Sequence, residues 1–282
     1  MDKPICLITG ATDGVGKATA AELARKGFAV VLAGRDAAKA EAVTKQIVDT
    51  TGNRDVDYLI ADLGSLAQLY RLAEEFTLRH RRLDVLINNA GVLMTQRVMT
   101  EDGYETMFQV NYLSQFYLTQ LLLDELKNSR QGRIINLCSS VYRMGKFDPH
   151  NLQGEQRFST FGAYAASKLL VLLFTSELAN RLSATHVTAN AVHPGVVRTQ
   201  MMLGTPGIFR AISYAALPFS LSPDKGAASS VFLAAAPELA EFSGRYFSRA
   251  KAREAQTTFN TPENRDLLWS LSMTAMQRTL PT

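Results

Sequence analysis

The segment Thr9-Gly10-Ala11-Thr12-Asp13-Gly14-Val15-Gly16 lies between a short apolar run, Ile5–Thr9, and a stretch of helical periodicity that begins at Val15. Glycines at such a point let the backbone turn tightly and bring its N–H groups and the helix N-terminus against a diphosphate. The spacing is G-x-x-x-G-x-G rather than G-x-G-x-x-G, and an ordinary tight turn would also use three glycines. The position between a first strand and a first helix favours a dinucleotide-binding loop. Its predicted contact residues are Gly10, Thr12, Asp13, Gly14, Val15 and Gly16.

Short apolar runs alternate with longer stretches of helical periodicity along the whole chain. The predicted strands are Ile5–Thr9, Ala29–Ala33, Tyr58–Ile60, Val85–Asn88, Arg133–Ser139, Val187–Val192 and Arg245–Phe247. The predicted helices are Val15–Lys26, Asp36–Thr50, Ser65–His80, Gly103–Lys127, Thr160–Leu182 and Asp224–Ala235. Strands that are apolar on both faces are typical of a buried parallel sheet, and the alternation indicates right-handed βαβ units. We therefore predict a single doubly wound α/β domain over residues 1–282, with a parallel seven-stranded sheet and helices on both faces.

The composition is that of a globular protein without an obvious macromolecular partner. Apolar residues make up 46% of the 282 positions and charged residues 20%, and the net charge is only +4. The densest basic run, Arg79–Arg82, is typical of a solvated helix end, whereas a nucleic-acid site needs a basic face or stripe. We expect no nucleic-acid partner.

The two cysteines, Cys6 and Cys138, both lie in predicted buried strands, so neither a disulfide nor a metal cluster is expected. Met1–Pro4 lead directly into the first strand without the charged and apolar regions of a signal peptide. No run of about 18 uninterrupted apolar residues is present, and the longest lipophilic segment is Leu169–Phe174. These features predict a reduced, cytoplasmic protein without a membrane span.

The end of the second predicted strand, Val30–Arg35, carries no carboxylate where an adenosine ribose would lie. An Asp or Glu there would bind the 2′-OH of NAD and repel the extra phosphate of NADP. Gly34 leaves space and Arg35 offers a planar guanidinium suited to phosphate, although Arg35 also fits an ordinary surface position. Asp36 is expected to cap the next helix, and Asp13 is an unexpected negative charge near the phosphates. The sequence favours NADP(H).

Further polar residues follow later strands, at the edge where ligands bind in sheets of this kind. Asn88–Gly91 follows the fourth strand, and Ser139 and Ser140 end the fifth. Tyr164 and Lys168 are four positions apart, and therefore share one face of a helix. A phenol transfers protons poorly at neutral pH unless a nearby cation favours its ionised form. Tyr-x-x-x-Lys alone is common in amphipathic helices, so its meaning depends on the other motifs.

In order and spacing, these motifs resemble those of the short-chain dehydrogenase/reductase family over nearly the whole chain. The matching elements are Thr9–Gly16, Asp62-Leu63, Asn88–Gly91, Asn111, Ser139, Tyr164 with Lys168, and Pro194-Gly195. The resemblance implies a Rossmann-type fold with both sites in one domain. The cofactor half would span about 1–140, and the catalytic and substrate half about 141–282.

The same resemblance implies the catalytic roles. Ser139 would hold and polarise a substrate carbonyl, and Tyr164 would be the general acid/base. Lys168 would lower the pKa of Tyr164 and hold the nicotinamide ribose, while Asn111 would support a water relay. Ser140 would lie behind Ser139.

Further cofactor contacts are also implied by the resemblance. They are Asp62 and Leu63 at the adenine, Asn89 and Ala90 at the adenosine ribose, Val197 at the carboxamide with Thr199 nearby, and also Gly91, Pro194 and Gly195. His193 is expected to be structural, because Tyr164 already serves as the base.

The 25 positions from Ser139 to Tyr164, the Gly34-Arg35 strand end and the Tyr164–Leu169 segment resemble the retinol dehydrogenase and carbonyl reductase branch. Proteins of that branch often carry an N-terminal membrane anchor, which the start of this sequence does not resemble. The irregular segment Thr199–Ser222 is rich in apolar residues and favours a lipophilic aldehyde or ketone, although packing under a loop would use similar residues.

Three functional hypotheses follow. The first is an NADP(H)-dependent oxidoreductase that interconverts a carbonyl and an alcohol. The second is a non-catalytic NADP-binding sensor or scaffold, which would not need both Tyr164 and Lys168. The third is a sugar-nucleotide epimerase or dehydratase, which would usually carry a larger C-terminal domain. A homodimer through Gly103–Lys127 and Thr160–Leu182 and a monomer both fit the sequence.

Overall fold

The computed structural model describes residues 3–198 and 220–278. One sheet has the strand order β3-β2-β1-β4-β5-β6-β7-β8. All adjacent pairs are parallel except the last, in which β8 runs antiparallel to β7. The strands are β1 Ile5–Thr9, β2 Ala29–Gly34, β3 Val56–Ile60, β4 Val85–Asn88, β5 Arg133–Leu137, β6 Thr188–His193, β7 Tyr246–Ser248 and β8 Lys251–Arg253. The doubly wound α/β prediction is confirmed, with a short eighth strand added at one edge.

Helices cover both faces of this sheet. In chain order they are α1 Gly14–Arg25, α2 Ala37–Thr51, α3 Leu66–Arg79, α4 Thr106–Phe108, α5 Ser114–Leu121, α6 Leu123–Lys127, α7 Thr160–Arg181, α8 Pro223–Ala235 and α9 Pro262–Gln277. Successive residues of β1 point to opposite faces, so Leu7 belongs to one buried apolar cluster and Cys6 and Ile8 to the other. Helices α1, α2 and α8 cover the face of Cys6, and α3, α5, α7 and α9 cover the other.

The prediction of one continuous helix over Gly103–Lys127 is wrong. Gly103 has a φ of +78°, and the helical segment begins only at Thr106, where the Glu105 carboxylate accepts the Phe108 N–H. A π-helical turn follows over Gln109–Leu113, and the helix is interrupted again at Leu122. A hydrophobic pattern cannot reveal a single extra residue in a helical turn, because both faces of this segment are buried.

The C-terminal helix α9 was not predicted. Its Trp269 ring packs edge-on against Phe116, with ring centroids 5.0 Å apart, and the Arg181 guanidinium stacks 4.3 Å from the Trp269 centroid. Tyr112 and Ser272 join the same layers through a buried hydrogen bond of 2.6 Å between their hydroxyls. Helix α9 therefore packs against α5 and α7. The homodimer stays a prediction.

Helix α7 has the length and composition of a membrane-spanning helix, and within the described residues it alone does. In the fold, 67% of its most apolar window is buried, which is the setting of a core helix. Leu169, Val171 and Leu173 of this helix belong to the buried apolar cluster on that face of the sheet.

A buried chain of polar side chains fixes α5 and α7 to the centre of the sheet. The Asn88 amide nitrogen donates to Thr119 Oγ1 at 3.0 Å and to Asn136 Oδ1 at 2.8 Å. The Asn136 amide nitrogen in turn donates to Thr175 Oγ1 at 2.9 Å. All four side chains are buried, so each of these bonds satisfies a group that water cannot reach. These bonds fix the position of α7 along strands β4 and β5.

This arrangement predicts the effect of replacing Asn136. Asn136→Leu leaves one N–H of the buried Asn88 amide without an acceptor and removes the donor to Thr175 Oγ1, so we expect a loss of about 2–4 kcal/mol in the free energy of unfolding, measured in urea. Thr175→Val strands only the Asn136 amide, and should cost about 1 kcal/mol. An Asn136→Leu protein as stable as the wild type would contradict this account.

Candidate active site

The residues that the sequence selects meet at one edge of the sheet. In a parallel sheet the carboxyl ends of all strands lie on the same side, so loops distant in sequence become neighbours. The glycine loop follows β1, Arg35 follows β2, Asp62 and Leu63 follow β3, and Asn89–Gly91 follow β4. Ser139 follows β5, and Pro194, Gly195 and Val197 follow β6. Thr199 lies outside the described residues.

The glycine loop is tied to the end of β4. The Asn89 side-chain amide donates to the carbonyls of Thr9 at 2.7 Å and Gly10 at 3.1 Å. The Thr9 hydroxyl accepts from the backbone N–H groups of Asn89 and Ala90 at 3.0 and 3.1 Å. The Asn89 amide thus supports the loop, while the resemblance implied a role at the adenosine ribose.

Side chains cannot replace the glycines of this loop. Gly10 and Gly14 have φ values of +62° and +50°, a region that favours glycine. A Cβ on Gly16 would lie 2.4 Å from both Asn89 Nδ2 and the Gly10 carbonyl oxygen. The backbone at the N-terminus of α1 is therefore bare, and the first N–H groups of a helix have no partner inside the helix. This cradle fits the diphosphate of a dinucleotide.

At the end of β2 the space beside Gly34 is occupied, which corrects the expectation that it is open. Gly34 faces the Thr12 side chain, and a Cβ there would come within 2.8 Å of Thr12 Cγ2. Arg35 is exposed, and no described residue forms an ion pair or hydrogen bond with its guanidinium. The Asp36 carboxylate accepts the Lys39 N–H at 3.0 Å, so Asp36 caps α2 as predicted.

The segment after β3 is held by its own side chains. Asp62 Oδ1 accepts the Gly64 N–H at 2.8 Å, and the Asp62 N–H donates to Gln68 Oε1 at 2.9 Å. The Leu63 carbonyl accepts the Ser114 hydroxyl at 2.6 Å, which links this segment to α5. Asp62 and Leu63 are therefore held in fixed positions at the carboxyl end of β3.

Ser139 begins a 3₁₀ helix over Ser140–Met144 instead of ending strand β5, which stops at Leu137. Its hydroxyl oxygen accepts the Val141 N–H at 3.5 Å, and no described acceptor takes its proton. The 3₁₀ helix packs against α7, because Gly145 has no side chain and a Cβ there would lie 2.5 Å from the Ala165 carbonyl. This contact brings the Ser139 loop beside the turn that carries Tyr164.

Tyr164 and Lys168 share one face of α7 as predicted. The Lys168 ammonium is buried, donates to the Leu137 carbonyl at 2.9 Å, and lies 5.9 Å from the centre of the Tyr164 ring. The Tyr164 hydroxyl has no hydrogen-bond partner among the described residues, so it is available to a ligand.

Burial shifts both pKa values, and it does so in opposite directions. Desolvation raises the pKa of the Tyr164 phenol to about 12 and lowers the pKa of the Lys168 ammonium to about 8. The resemblance implied that Lys168 lowers the pKa of Tyr164, and in the protein alone the shift of Tyr164 is in the other direction. The physical reason is that the ammonium is held by the Leu137 carbonyl and does not contact the phenol oxygen.

Asn111 lies in the π-helical turn and is fully buried. Its side-chain oxygen accepts the Val92 N–H at 2.7 Å, and its nitrogen donates to the Val92 carbonyl and to Ser167 Oγ, each at 3.0 Å. Asn111 therefore joins the loop after β4 to α7 between Tyr164 and Lys168. The water relay stays a prediction.

The turn after β6 is shaped by its neighbours. Gly195 has a φ of +91°, and a Cβ there would lie 2.7 Å from the Leu221 side chain. Val197 forms a parallel bridge with Leu221, which fixes its backbone. Burial lowers the pKa of His193 to about 4, so its ring is neutral, and its buried Nδ1 has no hydrogen-bond partner among the described residues. A neutral ring in this setting agrees with a structural residue.

Sequence reasoning missed three residues that contact this site. Cys138 Sγ donates to the Lys168 carbonyl at 3.2 Å, Ser167 bonds to Asn111, and Lys39 forms an ion pair with Asp13. No motif marks Cys138 or Lys39, since each contact joins segments that are distant in sequence. Ser167 stands within the Tyr-x-x-x-Lys segment and is therefore visible in the sequence.

Comparisons with known proteins agree with this geometry. The family model for short chain dehydrogenase matches residues 4–205. The chain is 41% identical to mouse retinol dehydrogenase 12 over 95% of its own length and 84% of that protein. It is 42% identical to human retinol dehydrogenase 13 over 94% of its length and 82% of that protein. The solved structure of Pseudomonas aeruginosa RhlG in an active-site complex with NADP is 26% identical, with a TM-score of 0.70, covering 87% of this chain and 94% of that one.

The lowered pKa of Lys168 predicts a pH-dependent stability. Between about pH 8 and its ordinary pKa of 10.5, the unfolded chain binds the proton that the folded chain has released. The free energy of unfolding from this group therefore rises with pH in that window and is constant below it. We expect the difference between wild type and Lys168→Met to grow by about 1–2 kcal/mol from pH 8 to 10. Above about pH 10 the Tyr164 phenol makes the free energy of unfolding fall with pH, because the folded chain keeps a proton that the unfolded chain has lost.

Urea denaturation at several pH values measures this difference. Lys45→Met, which removes an exposed lysine, serves as the control and should give a flat difference. A flat difference for Lys168→Met as well would mean that the ammonium is not desolvated in the folded protein.

Proposed function

Since the chain belongs to the short-chain dehydrogenase family, we propose that it is an NADP(H)-dependent oxidoreductase that interconverts a carbonyl, as an aldehyde or ketone, and an alcohol. The observation that carries the proposal concerns the Tyr164 hydroxyl. It has no hydrogen-bond partner among the described residues, and it lies on the same helix face as the buried Lys168 ammonium. The Ser139 hydroxyl, which also donates no hydrogen bond to any described residue, lies in the loop packed against that helix.

Each of these side chains has a distinct task in the proposed reaction. NADP(H), when bound, supplies or accepts the hydride. The Ser139 O–H donates a hydrogen bond to the substrate oxygen and polarises the carbonyl. Tyr164 gives a proton to that oxygen in reduction and takes it back in oxidation. With a pKa near 12, Tyr164 is fully protonated at neutral pH, which suits the reducing direction.

Lys168 supports Tyr164 through charge. An ammonium on the same helix face favours the phenolate over the neutral phenol, and so limits the cost of losing the proton. Its hydrogen bond to Leu137 keeps the cation at the site, and Cys138 and Asn111 fix the backbone on either side. Because the pKa of Lys168 is only about 8, this support is expected to weaken above that pH.

Two features of the structure support NADP(H) over NAD(H). Strand β2 ends without a carboxylate, and the Arg35 guanidinium is exposed. A 2′-phosphate would pair with such a guanidinium through two hydrogen bonds. One similar structure was solved with NADP.

A lipophilic substrate is proposed on two grounds. Two of the similar proteins are named for retinol, an apolar alcohol, and the segment from Thr199 to Ser222 is rich in Met, Phe, Ile and Leu. Most of that segment lies outside the described residues. Within the described part, exposed apolar side chains flank the site residues at Met144, Phe161 and Val196.

Replacing the Tyr164 phenol tests the chemical role. We expect Tyr164→Phe to lower turnover of apolar aldehydes by at least about 100-fold, because the ring remains and only the proton donor is lost. NADPH oxidation is followed by absorbance, and NADPH affinity by fluorescence should change less than about twofold. Tyr58→Phe, which removes a phenol on β3, is the matched control. A variant that keeps more than about a tenth of wild-type turnover would exclude Tyr164 as the acid.

Replacing Arg35 tests the cofactor preference. Wild-type protein should bind NADPH more tightly than NADH in paired fluorescence titrations. Arg35→Ala should reduce that preference about tenfold or more, through NADPH affinity alone. Arg54→Ala, an exposed arginine before β3, controls for net charge. Equal affinities of the wild type for the two cofactors would overturn the preference.

A further inference from the structure

An ion pair stands at the glycine loop. One Asp13 carboxylate oxygen accepts the Gly14 N–H at 2.7 Å, and the other accepts from the Lys39 ammonium at 2.8 Å. The pair holds the pKa of Asp13 below its ordinary value, chiefly through the Lys39 hydrogen bond. A full negative charge therefore occupies the N-terminus of α1, where an incoming phosphate would otherwise find only N–H groups.

The pair joins the two segments that border the adenosine end of the proposed cofactor site. Asp13 belongs to the loop after β1, and Lys39 belongs to the first turn of α2, which follows β2. Asp36 caps that turn by accepting the Lys39 N–H, so the Lys39 backbone is fixed. Only its flexible side chain extends to the glycine loop, and Arg35 lies four residues earlier.

The two partners are only half-buried, with 45% of the Lys39 side chain and 50% of the Asp13 side chain exposed. Exposed ion pairs contribute little to stability, because water and salt screen them and two side chains must be held in place. A phosphate carries more charge than a carboxylate and offers three acceptor oxygens. Lys39 can therefore exchange Asp13 for a phosphate at small cost.

The other nearby lysine is engaged elsewhere. The Lys17 ammonium donates to Gln46 Oε1 at 2.7 Å. Among the described residues Lys39 is thus the cation in direct contact with Asp13, and without that contact Asp13 would repel a phosphate at this position more strongly.

We propose that Lys39 is a second ligand of the NADP 2′-phosphate beside Arg35, and that Asp13 competes with the phosphate for it. This inference rests on the proposed NADP(H) dependence and adds a specificity-determining pair to it. Asp13 holds Lys39 when the cofactor is absent. NADPH must break this contact to bind, so the free energy of the contact is subtracted from its binding. NADH, which lacks the phosphate, gains nothing from releasing Lys39.

Binding measurements on two single variants test the exchange. Lys39→Met should weaken NADPH about tenfold, and NADH less than about twofold. Asp13→Asn should strengthen NADPH about threefold, because it frees Lys39 and removes a repulsive charge. Asn caps helices as well as Asp, so the Gly14 contact is retained. Circular dichroism checks that both variants fold.

Fluorescence titration gives the affinities for NADPH and NADH. Comparing how well adenosine 2′,5′-bisphosphate and AMP compete with NADPH isolates the contribution of the 2′-phosphate. Lys45→Met, an exposed lysine on the same helix, is the control for net charge and should leave both affinities unchanged.

The outcomes separate the two proposals. If Arg35→Ala weakens NADPH but Lys39→Met does not, or if Lys45→Met weakens it equally, the exchange is overturned and the NADP(H) proposal survives. An Asp13→Asn protein that binds NADPH more weakly also overturns the exchange. If the wild type binds neither cofactor nor the bisphosphate, the proposed function itself fails.

Discussion

The side-chain amide of Asn89 joins the glycine loop after β1 to the end of β4 through two carbonyl groups of that loop. These two strands are neighbours at the centre of the sheet, so this contact sets the position of the α1 N-terminus relative to every later strand. Gly16 must lack a side chain because Asn89 fills the space where one would be. The proposed cofactor-binding and catalytic ends of the site lie on either side of this junction.

Helix α7 carries the groups proposed for proton transfer, and buried polar contacts fix it in place. Asn136 and Thr175 hold its middle to the sheet, while Asn111 and Cys138 contact it around Tyr164 and Lys168. Burial then acts on the two groups in opposite directions, because the neutral form of each is favoured away from water. The lowered pKa of Lys168, about 8, brings the loss of its charge closer to neutral pH, while the Tyr164 phenol stays protonated.

At the adenosine end the decisive quantity is the balance of charge. The loop holds Asp13 where phosphate binding would favour a neutral or basic residue, and the sequence alone leaves this charge unexplained. The tertiary structure supplies Lys39 from the next βα unit as its partner. The carboxylate is thereby neutralised by a cation that is itself suited to phosphate.

The sequence by itself determined the doubly wound sheet, the glycine loop, the absence of a carboxylate after β2 and the spacing of Tyr164 and Lys168. Each is encoded within one short segment, by hydrophobic period, by glycine or by a fixed helical offset. It missed α9, the π-helical turn at Asn111, and the pairing of Asp13 with Lys39. Only the tertiary structure decided these, because they depend on which distant segments are packed together. The shifted pKa values of Tyr164 and Lys168 were also decided by the tertiary structure, because desolvation depends on the assembled core and not on the residues alone.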